Sequence, residues 1–192
     1  MAQGKNALFK RNPSNFLQTH TLMVSPDGHG AGQRIPTPVA EIDFNPLVGP
    51  VTPQSVMMLN YLALTGSTEG VSVSAYYLPA IVDNTSTMKI GVGKSYFFTA
   101  DLSGCLFAAY GPSDQDLTVE HVNVRTAAAV VAIAPRLAAI ATGGFAFCKI
   151  LSPIPYPGVA TYTTGGNVLG VCDPVGGWTF HYRVDGNAVA VL

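Results

Sequence analysis

From Ser55 onward the chain is built of short apolar runs rich in β-branched and aromatic residues, set apart by clusters of Gly, Ser, Thr and Asn. This is the pattern of strands joined by turns. It predicts strands over Val56–Thr65, Val71–Leu78, Lys94–Thr99 running on through Tyr110, and Leu117–Val124, then over Phe145–Leu151, Val159–Thr163, Asn167–Cys172, Trp178–Val184 and Ala188–Leu192. Residues 66–70 and 82–87 are polar enough to read as turn or loop, and Asp185-Gly186 is a hairpin signal between the last two strands. A single segment has helical character. Arg125–Thr142 holds five alanines between positions 127 and 134, Thr126 can cap it and Gly143-Gly144 can stop it. Pro135 in its middle predicts a kink or a split into two pieces, because proline removes a hydrogen bond and clashes with the preceding turn.

The first 53 residues differ. Seven prolines and the stretch from Pro26 to Gly32 leave only short apolar runs, so residues 1–53 are expected to form a Pro/Gly-rich arm that wraps the core and supplies one early strand. A length of 192 residues suits a single domain, residues 1–192, with enough interior to fold without staples. The expected fold class is α/β in content: a mostly β sandwich of two sheets with one long or Pro-broken helix and extensive loops.

Candidate chemistry centres on Cys105. The segment Gly111–Asp116 between the strands ending at Tyr110 and beginning at Leu117 is turn-like, so a hairpin is expected. If Tyr110 pairs with Asp116, Cys105 falls directly opposite His121. Opposed residues share a face, with Cβ atoms roughly 4.5–5.5 Å apart. A thiol needs such a neighbour because its ordinary pKa of about 8.5 leaves it only a few per cent ionised at neutral pH. Gly104 allows a substrate carbonyl to approach the backbone, where the Cys105 N–H would help hold an oxyanion. His181, between Phe180 and Tyr182, is the alternative base if the register differs; His29 and His20 suit loop or strand positions without a special role. Set against the catalytic reading is a plain one, in which Cys105 is a packed core thiol in a binding or structural sandwich.

The string Thr99-Ala100-Asp101-Leu102-Ser103-Gly104-Cys105 resembles the Leu-Ser-Gly-Cys signature of the cysteine-dependent glutamine deamidases: the catalytic domain of cytotoxic necrotizing factors, the CheD chemoreceptor deamidases and Burkholderia lethal factor. The resemblance spans Tyr96 to Asn123. It implies a single deamidase-like domain in which Cys105 is the nucleophile, His121 the base and Thr99 a residue that orients the site, with Gly104 and Ser103 on the substrate or oxyanion side. It further implies a protein substrate carrying a target glutamine, and a bacterial toxin or effector acting on a host protein such as a small GTPase or a translation-initiation RNA helicase. A CheD-like action on a chemoreceptor is the alternative. Thioester transfer to an amine would make the same site a transglutaminase, and attack on a peptide bond would make it a protease.

Composition narrows the partners. A net charge of −1 with 11% charged residues and no basic cluster argues against nucleic acid or an anionic membrane. The three cysteines, Cys105, Cys148 and Cys172, have neither zinc spacing nor an even count, so no metal, cofactor or disulfide framework is expected. Gly-Val-Gly-Lys-Ser at 91–95 fails as a phosphate loop because Met88 stands where its first glycine belongs. The start of the chain has no apolar signal core, so nothing directs it through the Sec route; the resemblance implies a protein, expected to be a monomer, that resides in the bacterial cytoplasm before delivery to the host cytosol.

Overall fold

The computed structural model describes residues 2–24, 39–46, 55–62, 73–81, 83–123, 127–184 and 190–192. Two short helices open the chain, α1 (Ala2–Arg11) and α2 (Pro13–Thr19), followed by strands β1 (His20–Val24), β2 (Val39–Pro46), β3 (Ser55–Leu62), β4 (Val73–Leu78), β5 (Asn84–Ile90) and β6 (Tyr96–Thr99). Next come β7 (Leu106–Ser113), β8 (Asp116–Asn123), the helix α3 (Ala127–Ala141), β9 (Phe147–Ser152), β10 (Ala160–Thr161), β11 (Gly166–Asp173), β12 (Gly177–Val184) and β13 (Ala190–Val191). They form two mixed sheets. One has eight strands in the order β1-β3-β2-β4-β6-β11-β12-β13, the other five in the order β10-β9-β7-β8-β5. The protein is a mostly β sandwich of two sheets, as its strand pattern predicts.

The main core lies between the sheets. Phe97 and Phe180 of the larger sheet meet Phe107 of the smaller one, with ring centroids 5.9 Å (Phe97–Phe107) and 5.7 Å (Phe107–Phe180) apart. Trp178, Leu117, Val119 and Leu151 fill in around them. Strand periodicity sends the alternate residues of the smaller sheet the other way, where Leu106, Ala108 and Val122 pack on Ile133, Leu137 and Ile140 of α3. Because β7 is covered on both faces, its sequence is a continuous apolar run instead of an alternating one. On the outer face of the larger sheet, Phe9 and Phe16 of the first two helices are buried against Phe98 and Leu169. Asn12 caps α2, its Oδ1 accepting the Asn15 N–H at 3.0 Å.

Three expectations change. The run from Phe97 to Tyr110 is not one strand: β6 ends at Thr99 in the larger sheet, and β7 begins at Leu106 in the smaller one. Residues 82–87 are not all loop, since Asn84–Ile90 is an edge strand paired with β8. Its polar outward positions hide a period of two in which Ser86, Met88 and Ile90 turn inward. Of the two forms expected of the helix, the long one is observed: it runs unbroken through Pro135, which is exposed on the solvent side, where a helix bends away with least loss of packing. Its predicted end holds: Gly144 adopts φ +69°, a left-handed stop that glycine takes freely. Residues before Pro53 contribute two helices and two strands instead of one strand, and β2 lies inside the larger sheet between β3 and β4. Thr126, His29 and the Asp185-Gly186 turn lie outside the described residues.

Candidate active site

The segment that carries Cys105 is a crossover from one sheet to the other, tied down along its length. The Ala100 N–H donates to the Leu78 carbonyl at 2.9 Å, and Leu102 exchanges backbone hydrogen bonds with Gly166 at 2.6 and 2.9 Å. Tyr162 then brackets Cys105 itself. Its hydroxyl accepts the Cys105 N–H at 2.7 Å and donates to the Cys105 carbonyl at 2.6 Å. The Cys105 backbone is thereby fixed from both sides by one buried side chain. This overturns the expected oxyanion role of the Cys105 N–H, which is already committed to Tyr162. Gly104 serves a different purpose from close approach: it takes φ +76°, a conformation costly to any L side chain, and a Cβ there would meet nothing within 4 Å. Ser103 and Gly104 are exposed beside the buried Cys105.

The hairpin register differs from the expected one by two residues. Leu106 pairs with Val122, Phe107 with His121 and Tyr110 with Thr118, so that one further step sets Cys105 opposite Asn123. The reason is local. Gly111 and Pro112 belong to β7, not to the turn, which contracts to Asp114-Gln115 with a register shift between Tyr110 and Ser113. At Gly111 the strands come so close that a Cβ would lie 2.1 Å from the Asp116 carbonyl oxygen. A shift of two preserves the facing of every side chain. Cys105 and His121 therefore share the inward face as diagonal neighbours, a relation that separates positions by roughly 7–8 Å, and not as directly opposed ones. The Cys105 thiol donates to Asn123 Oδ1 at 3.4 Å.

His121 is wholly buried between β7 and β5, and neither ring nitrogen has a hydrogen-bond partner. Burial without a compensating charge pushes its pKa down to about 4, so the imidazole is neutral at pH 7. Directly opposite it on β5 stands Ser86, also buried and also without a partner at its hydroxyl. Behind His121, the neighbouring Glu120 points outward into a partly buried ion pair with Arg136 of α3, and its Oε1 accepts the Tyr110 hydroxyl at 2.5 Å. The helix thus braces the histidine strand from outside. Thr99 closes β6 with its Oγ1 accepting the Val168 N–H at 3.0 Å, a bond that ties β6 to β11.

His181 is excluded as an alternative base. It pairs with Leu169, whose side chain belongs to the outer cluster with Phe9 and Phe98, so it faces away from Cys105. The other two thiols are packing groups: Cys172 lies in the inter-sheet core and Cys148 against α3, where burial raises the pKa of each. The loop at 153–158 turns Ile154 and Tyr156 onto the α3 cluster, capping that layer.

No protein-family model matches this chain, and no curated protein matches it. Among solved structures it is similar to the C-terminal domain of CNFy from Yersinia pseudotuberculosis, with 8% sequence identity and a TM-score of 0.48, over 100% of this chain and 97% of that one.

Sequence reasoning missed Tyr162, Asn123 and Ser86. Tyr162 follows the short strand β10 and reaches Cys105 across 57 positions of sequence, which no local signal reports. Asn123 was within reach: the correct register alone places it opposite Cys105. Ser86 was hidden by the loop assignment of its strand.

Proposed function

We propose that the protein is a cysteine-dependent glutamine deamidase, a single domain over residues 1–192 in which Cys105 is the nucleophile and His121 the base. The observation that carries this reading is their placement on one inward face of two adjacent strands, at the end of a crossover whose sequence resembles the deamidase signature. In the resting site the thiol is held protonated on Asn123 and the imidazole is neutral, so the base is in the state needed to accept a proton. Rotation of the thiol about χ1 brings Sγ–H from Asn123 towards His121. His121 takes the thiol proton as Sγ attacks Cδ, the carbonyl carbon of a glutamine side-chain carboxamide, and then returns it to Nε2, which leaves as ammonia. Water, deprotonated by His121, cleaves the thioester and yields glutamate. The exposed Ser103-Gly104 turn is the side from which a glutamine side chain reaches Cys105. Thr99 holds the start of the crossover to β11. The chain acts as a monomeric bacterial toxin or effector delivered to the host cytosol, and its substrate is a host protein such as a small GTPase or a translation-initiation RNA helicase.

The burial of both groups favours one competing reading, a non-catalytic sandwich in which Cys105 only packs. Mass-spectrometric mapping of Gln-to-Glu conversion in eukaryotic lysate separates the two. The wild-type protein should convert a small set of glutamines that Cys105→Ser and His121→Ala leave intact, the latter losing about 10²- to 10⁴-fold in rate. Identical glutamine profiles for all three proteins would mean that the thiol has no catalytic part.

A further inference from the structure

The three strands β7, β8 and β5 lie side by side, with His121 on the middle one. Cys105 is its diagonal neighbour towards β7, and Ser86 is its direct partner on β5. Both Ser86 and His121 face the inter-sheet interior, with 6% and 0% of their surface exposed, and Ser86 Oγ and both His121 ring nitrogens lack hydrogen-bond partners. Polar groups buried in this way ordinarily find partners, because each one left unsatisfied costs roughly 1–3 kcal/mol. Here the orphaned atoms sit on two residues in direct register, whose Cβ atoms such pairing brings to roughly 4.5–5.5 Å. A hydroxyl can accept from one imidazole nitrogen at that separation after a single χ1 rotation, or through one water.

We propose that Ser86 is the positioning residue of His121, accepting the N–H of the ring nitrogen on the β5 side so that the other nitrogen presents its lone pair to Cys105. The inference rests on the deamidase reading and adds to it the group that selects the tautomer. The two ring nitrogens of an imidazole are distinct, and a hydrogen bond made by one fixes the tautomer and so what the other can do. Thr99, for which the resemblance implies an orienting role through its hydroxyl or its backbone carbonyl, accepts the Val168 N–H at its Oγ1. No carboxylate is required: a neutral acceptor holds the tautomer while leaving the ring uncharged at rest.

The test uses iodoacetamide as the probe and needs no knowledge of the natural substrate. Native wild-type, His121→Ala, Ser86→Ala and Ser86→Thr proteins are alkylated under identical conditions, and the adduct on Cys105 is quantified by peptide mapping. Ser86→Ala should slow Cys105 modification at least about tenfold, a part of the 10²- to 10⁴-fold effect of a general base, and Ser86→Thr should restore most of it because the hydroxyl returns. In parallel, ¹⁵N spectra should show His121 in one neutral tautomer in the wild type and in Ser86→Thr, and a mixture of two in Ser86→Ala, a change that loss of packing alone does not produce. Slow alkylation in His121→Ala with wild-type rates and a single tautomer in Ser86→Ala would overturn the role of Ser86 and leave the dyad standing. Equal rates in all four proteins would overturn the dyad and the role of Ser86 together.

Discussion

Acidification should destabilise this protein through His121 before any catalytic consequence is considered. The side chain has an ordinary pKa of 6.5 and one of about 4 in the fold, lowered by burial. In the unfolded chain it takes up a proton below 6.5, whereas in the fold it resists until about pH 4. The unfolded state therefore binds more protons throughout that window, and stability is fully present above the upper value and lost as pH falls towards the lower one. At 1.36 kcal/mol per pKa unit the loss reaches about 3 kcal/mol below both values, and at pH 5 it is about 2 kcal/mol. For a chain of this size that corresponds to a melting temperature lower by about 4–8 °C. The assay is thermal and urea unfolding of wild type and His121→Asn at pH 7, 6 and 5. Every other titrating group is common to both proteins, so the difference between their pH slopes isolates His121. The wild type should lose about 2 kcal/mol more than the variant between pH 7 and 5. Equal slopes, or a wild type that gains stability on acidification, would refute the reasoning, since a resting thiolate–imidazolium pair would raise the histidine pKa and reverse the sign.

Further expectations concern the groups around the dyad. Cys105→Ser should fold with a stability within about 1 kcal/mol of wild type in denaturant melts, because the serine hydroxyl can donate to Asn123 Oδ1 as the thiol does, yet it should lose deamidation, since an alkoxide is not formed against a lone imidazole. Tyr162→Phe removes the partner of both the Cys105 N–H and its carbonyl, and should cost about 2 kcal/mol in the same melts together with a fall in turnover from a loosened nucleophile. Arg136→Met leaves the Glu120 carboxylate buried and unpaired behind the histidine strand. Its expected cost, read by urea unfolding, is about 2–3 kcal/mol, below the 3–5 kcal/mol typical of fully buried pairs because Arg136 is partly exposed.

The apolar runs of the second half announced their strands because β-branched and aromatic residues on a half-buried surface leave a strong local pattern, and β9, β11 and β12 lie where that pattern puts them. Edge strand β5 did not. Only one of its faces is buried and the first inward position is a serine, so its composition is that of a loop. The hairpin was legible but its register was not, because glycine and proline at 111–112 signal a turn while the close approach of the two strands at Gly111 holds them in β7. That difference of two residues kept Cys105 and His121 on one face and exchanged His121 for Asn123 as the residue across from the thiol. The shared face survived because the offset was an even number of residues, whereas the offset itself depended on the turn. The break between β6 and β7 was concealed in the same way: Ala100 and Leu102 are buried like strand residues, though they belong to a crossover.

The claim that Cys105 is a nucleophile towards a carboxamide is tested most directly by trapping its acyl intermediate. Protein turning over in eukaryotic lysate is quenched in acid, digested and searched for a γ-glutamyl group on the peptide that contains Cys105. The account predicts an adduct confined to Cys105, removed by hydroxylamine, absent from Cys148 and Cys172, and absent when Cys105→Ser protein is used. Gln-to-Glu conversion that proceeds undiminished in Cys105→Ser, with no adduct on the wild-type cysteine, would contradict it.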